Sequence, residues 1–297
     1  MMAFIEDDER LLIMDMNLSP DSIALTYDEM VMLKSAGVKT LYFQAGMRWD
    51  IMQPSLDAPF DWSRIDRFVN DARRAGLKML IPVIYAFPHW FPDEFFFSRE
   101  ANGESYGVPD YNSAEAAGII DDMICATINR YTADDCQVVF SIPSNGEFPF
   151  HQWPSNGSTV GYDMDTFVSW VVDRQRLFVA QHDEIWTAYH PYTNPTYWGP
   201  LYGALFSEFP LARHYGIIFT YVQHSQPHIQ QRIDDNRKGG MKYYAGAEYV
   251  QGLRSNMGKL KAGNMRTLIA PKHPYQKYDK IEAWMLEEIA WAIEELA

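Results

Sequence analysis

Four stretches of this chain repeat one arrangement: the end of an amphipathic segment, a glycine, a basic or apolar residue or two, then a short apolar run. They are KSAGVKTLYF (34–43), RRAGLKMLIPV (73–83), RKGGMKYYAG (237–246) and LKAGNMRTLIA (260–270). Glycine just past a helix supplies the left-handed residue that closes it, a conformation other residues adopt only at a cost. The run behind it is rich in β-branched or aromatic residues, as suits a strand buried on both faces. A chain that alternates helices with such strands has few ways to fold, because parallel strands must be joined by long crossovers.

Extending the pattern predicts eight strands, near 10–16, 39–45, 78–86, 136–142, 184–189, 215–222, 241–247 and 265–270. Helices are expected between them, near 26–36, 62–75, 113–131, 163–181, 198–212, 227–238, 253–262 and 279–296. Eight βα units in strict alternation make an α/β chain, a single (β/α)8 TIM barrel over residues 1–297. A doubly wound open sheet is the alternative. It would usually carry a glycine-rich phosphate loop after the first strand, where this chain has MDMNLSPDS. Thr26 and Glu29 fit a capping box, and Asp61 is placed to cap the second helix. Ile65, Phe68, Val69 and Ala72 fall on one face of that helix, with Trp62 at its interface with the barrel.

With 47% hydrophobic and 22% charged residues, the chain has the composition of a soluble globular protein with a large core. A net charge of −14 argues against nucleic acid or an anionic membrane surface as its main partner. No apolar run is long enough to span a bilayer, and the acidic start MMAFIEDDERLL is no signal peptide. Cys125 and Cys136 read as reduced thiols. A cytoplasmic location is expected, although a secreted chain trimmed of its leader would look the same.

Active sites of TIM barrels are built where the strands end. After strand one stand Asp15 and Asn17; after strand two, Arg48 and Trp49; after strand three, Tyr85, His89 and Trp90. Strand four leads to Asn145, Glu147 and Trp153, and strand five to Tyr189, His190 and Tyr192. Tyr221 and His224 follow strand six, Glu248 strand seven and Lys272 strand eight. Two glutamates among aromatics and hydrogen-bonding groups suit a carbohydrate: aromatic faces stack on sugar rings, and paired carboxylates cleave glycosidic bonds. Strands four and seven lie three steps apart round an eight-stranded ring, so Glu147 and Glu248 read as a pair across its mouth.

The same residues carry a resemblance to a known group. RWDIMQPSLDAPFDWSRIDRFVNDARRAGLKMLIPV, FPHW and AGAEYVQG are similar to segments of the clan A (β/α)8 glycoside hydrolases, in particular β-galactosidase-like members. In that group the acid/base glutamate follows strand four and the nucleophile follows strand seven. The resemblance therefore implies Glu147 as acid/base, Glu248 as nucleophile, Tyr221 as a partner of the nucleophile, and His190 as a strand-five histidine. An asparagine normally precedes the acid/base directly, whereas here Gly146 stands between Asn145 and Glu147. The segment SNGEFPFHQWP instead resembles β-amylases, which invert and use the strand-seven glutamate as a base.

Three readings follow. The first is a retaining glycoside hydrolase acting on a β-linked oligosaccharide or polysaccharide, with Asp15, Arg48, Trp49, Tyr85, His89, Trp90, Asn145, Trp153, Tyr189, His190, Tyr221, His224 and Lys272 contacting substrate. The second is an inverting, β-amylase-like glucanase. The third is a barrel that binds glycan without cleaving it. Trp49, Trp90 and Trp153 can equally anchor the core, and Asp15 can equally cap the barrel's bottom. The histidines lack His-x-His or His-Glu-x-x-His spacing, so neither metal nor cofactor is expected.

Overall fold

The structure is a computed structural model. It describes residues 4–6, 8–15, 24–43, 49–83, 88, 90–99, 107–109, 113–140, 169, 172–173, 185–189, 214–218, 242–247, 250–263, 266–272 and 278–297. Every expected strand is there: β1 (Leu11–Asp15), β2 (Thr40–Phe43), β3 (Lys78–Val83), β4 (Cys136–Phe140), β5 (Ile185–Tyr189), β6 (His214–Ile218), β7 (Lys242–Ala247) and β8 (Arg266–Ile269). They form one sheet, ordered β4-β3-β2-β1-β8-β7-β6-β5, and every ladder in it is parallel. β4 and β5, at the two ends of that order, lie against each other. The sheet thus curls round on itself as a (β/α)8 barrel, and all eight strands deliver their last residues to one rim.

Alternation along the strands sorts the core into two layers. Leu12, Met14, Tyr42, Leu80, Leu268 and Ala270 point inward and pack together with Ile5. Leu11, Ile13, Leu41, Phe43, Met79, Ile81, Val138 and Ile269 point outward against the helices. This period of two is what a strand buried on both faces produces. Tyr42 is wholly enclosed, and burial drives its phenol far above the ordinary range.

Helices α1 (Tyr27–Ser35), α2 (Ser63–Ala75), α3 (Ala114–Tyr131), α4 (Leu253–Gly263) and α5 (Ala283–Leu296) match five of the expected segments. The capping box forms: Thr26 Oγ1 accepts from the Glu29 amide at 3.3 Å, and Glu29 Oε2 accepts from the Thr26 amide at 2.8 Å. Asp61 accepts from the Ser63 amide at 2.9 Å, ahead of a helix whose first flanking residue is Trp62. Ile65, Phe68, Val69 and Ala72 are all buried, each large side chain contributing about 1.5–3 kcal/mol. Trp62 packs edge-on against Tyr131 of α3, with ring centroids 5.7 Å apart. Gly37 and Gly76 close α1 and α2 at φ 98° and 75°. The helices expected near 198–212 and 227–238 lie outside the described residues.

One element was not foreseen. Between β3 and α3 a short turn, Asp93–Phe95, leads into an antiparallel hairpin of Phe96–Arg99 with Gly107–Pro109, whose register is shifted by an irregularity between Phe96 and Ser98.

Candidate functional site

The rim formed by the strand ends is the candidate site. β4 ends at Phe140, seven positions before Glu147, and β7 ends at Ala247, directly before Glu248. In ring order β5 and β6 separate β4 from β7. Glu147 and Glu248 themselves lie outside the described residues, as do Arg48, Tyr85, His89, Asn145, Trp153, His190, Tyr221 and His224. Tyr189 is the last residue of β5.

Four of the expected contact residues are described with their side chains, and two of them, Trp49 and Lys272, turn out to be structural. Trp49 opens a short helix, Trp49–Met52, behind β2 and is fully buried. Trp90 meets it edge-on at 5.5 Å and Phe91 at 5.8 Å. Its indole N–H donates to Gln53 Oε1 at 2.7 Å. A ring so enclosed has no face left for a sugar; Trp49 is a core anchor, which corrects the expected stacking role.

Lys272 also departs from expectation. Its ammonium is buried and donates to Glu29 Oε2 at 2.7 Å and to the Ala24 carbonyl at 2.8 Å. The Ile281 amide donates to the other Glu29 oxygen at 2.9 Å. Lys272 therefore fastens the segment after β8 to the start of α1, in place of the expected substrate contact. Burial pushes the Glu29 carboxyl upward, but the Lys272 ammonium and the Thr26 and Ile281 amides outweigh it. The carboxyl is held below its usual range, as expected for a buried acid with a charged partner and several donors.

Asp15 ends β1 at the rim, not at the bottom of the barrel, which corrects the bottom-cap alternative. It is 3% exposed, and its carboxylate accepts from the Leu25 amide at 3.1 Å, bracing the connection into α1. Trp90 differs from Trp49 in being only half-buried; its indole N–H donates to the Gln53 backbone carbonyl.

Gln53 was not foreseen, and it organises this corner. Besides accepting from Trp49, its amide donates to the Leu56 and Ala58 carbonyls at 3.0 and 3.1 Å. The spacing Trp49-x-x-x-Gln53 on one helix turn was the available signal.

No protein-family model matches the chain, and no curated protein matches it in sequence. Solved structures do match in fold. The β-galactosidase from the psychrophilic Marinomonas ef1 superposes with a TM-score of 0.65 at 10% identity, over 96% of this chain and 59% of that one. The chain thus spans less than two thirds of that protein. The catalytic domain of β-amylase from Paenibacillus polymyxa gives 0.61 at 11% identity, over 97% of this chain and 99% of that domain. The endo-1,4-β-mannanase from Rhizomucor miehei gives 0.56 at 9% identity, over 92% of each chain. The architecture is that of these barrels.

Proposed function

We propose that the protein is a glycoside hydrolase acting on a β-linked oligosaccharide or polysaccharide, with Glu147 and Glu248 as its two carboxylates. The observation that carries this reading is topological. β4 and β7 run parallel in one ring and open on one rim, and the two glutamates follow their ends. The fold shared with a β-galactosidase, a β-amylase and an endo-mannanase supports the same chemistry. In this mechanism Glu147 protonates the leaving oxygen and then takes a proton from water. Glu248 attacks the anomeric carbon, forming a covalent intermediate, so configuration is retained. Glu147 needs surroundings that keep it protonated and Glu248 surroundings that keep it ionised. Asn145, His190 and Tyr221 hold the sugar and the nucleophile in place.

An inverting mechanism is the second reading, favoured by the segment SNGEFPFHQWP and by the full-length match to the β-amylase domain. Glu248 then activates water as a base. The two differ in the carboxylate separation they require, about 5–5.5 Å for retention and about 6.5–9.5 Å for inversion.

The experiment is a chromogenic β-glycoside panel run on the wild type, Glu147→Gln and Glu248→Gln, with proton NMR of the first-formed anomer. Each substitution is expected to lower kcat by about 10²–10⁴-fold. Near wild-type turnover by either variant removes that glutamate from the mechanism. Binding of glycans by the wild type without turnover on any of them replaces the enzyme with a binding barrel.

A further inference from the structure

The opposite end of the barrel holds a carboxylate for which the proposed chemistry has no use. Glu9 stands just before β1 and is only 5% exposed. No hydrogen bond of ordinary geometry reaches either of its oxygens among the described residues; the buried Thr40 hydroxyl beside it only partly eases its charge. A buried carboxylate without donors is costly when ionised. Burial accordingly raises its pKa, against the lowering effect of the Thr40 hydroxyl and of the charges on Lys78, Lys39 and Arg266, at or just before the starts of β3, β2 and β8.

All three of those cations are occupied elsewhere. Residues Phe4–Glu6 cross the barrel floor as a strap, with Ile5 fully buried among Leu12, Met14, Tyr42 and Leu80. Lys78 Nζ donates to the Phe4 carbonyl at 2.9 Å, and Arg266 Nη2 donates to the Glu6 carbonyl at 3.1 Å. Lys39 holds the strap from outside, through Glu6 at 2.6 Å and Asp8 at 3.5 Å. The Glu9 amide closes the turn on the Glu6 carbonyl at 3.0 Å. The Glu9 amide and the Arg266 guanidinium share the Glu6 carbonyl. The Glu9 carboxylate and the strap's carbonyls thus face the same cations, and a full charge attracts a cation more strongly than a carbonyl dipole does.

We propose that Glu9 is a proton-operated latch on the barrel floor: neutral, it leaves Lys78 and Arg266 to the strap carbonyls; ionised, it draws them to itself and the strap loosens. The latch lies at the far end of the strands from the rim and does not depend on the glycosidase reading.

Hydrogen exchange of the full-length chain, read by mass spectrometry over residues 4–12 from pH 5 to pH 9, tests it against Glu9→Gln. Taking the ratio of the two proteins at each pH cancels the intrinsic pH dependence of exchange. The wild-type strap is expected to lose protection relative to the variant by tenfold or more across that range. A ratio that stays constant overturns the latch. Carboxyl-labelled glutamate NMR of the wild type gives an independent reading. Titration of Glu9 above the ordinary glutamate range supports the latch, and titration within or below that range overturns it.

Discussion

Removing the Lys272 ammonium while keeping the bulk of its side chain, as in Lys272→Met, leaves Glu29 buried and ionised with only neutral donors, the Thr26 hydroxyl and the Thr26 and Ile281 amides. The two side chains are 5% and 9% exposed, so solvent does little to soften the loss. Deleting one member of a buried pair typically costs about 3–5 kcal/mol, because the survivor is an uncompensated charge. Unfolding entropy near 2.1 cal/mol/K per residue amounts to about 0.6 kcal/mol/K over a chain of 297 residues. The expected fall in Tm is therefore about 5–8 °C. Thermal unfolding followed by circular dichroism measures it. The double variant Glu29→Gln/Lys272→Met should recover a large part of the loss, since no lone charge remains. Acid gives a second arm. Glu29 is held below its usual pKa, so its contribution is present above the unfolded-state pKa and is lost as pH falls through the folded one. The gap between wild type and Lys272→Met should accordingly close on acidification. A loss under about 1 kcal/mol at pH 7, typical of a solvated pair, would refute the claim that this pair is a buried clasp.

Gly76→Ala should cost about 1–2 kcal/mol in urea unfolding, the penalty of a Cβ at φ 75°. Gly37→Ala, at φ 98°, should cost a similar amount, since its added carbon meets Ile293 Cδ1 at an ordinary contact distance of 3.4 Å; a cost several-fold larger would count against that packing. Iodoacetamide at pH 8 should alkylate the exposed Cys125 well before the buried Cys136, whose thiol is pushed up to about 12 by burial. Peptide mapping that finds both labelled at similar rates in the folded protein would contradict that burial.

The barrel was legible because its signals are local. Glycine after a helix, period-two burial and the Thr26–Glu29 box each involve residues a few positions apart, and each reappears in the coordinates. What was misread depends on distant partners. Lys272 looks like a rim cation until Glu29, 243 positions away, is seen beside it. Trp49 looks like a stacking platform until Trp90 and Phe91 enclose it. The hairpin after β3 has an irregular register and a charged approach through Asp93 and Glu94, so its strands lack a clean alternation to read. Glu9 sits among charged residues in EDDER, a stretch that reads as solvated surface until three strand starts surround it.

One strand carries both ends of this molecule's behaviour. From Glu9 to Asp15 the chain advances six residues, about 20 Å at the usual strand rise. Leu12 and Met14 fill the distance with close-packed apolar volume. Two polar ensembles so insulated should respond independently, and energetic effects at one should simply sum with those at the other. Floor and rim can then be altered separately, a substitution at one leaving the packing of the other as it was.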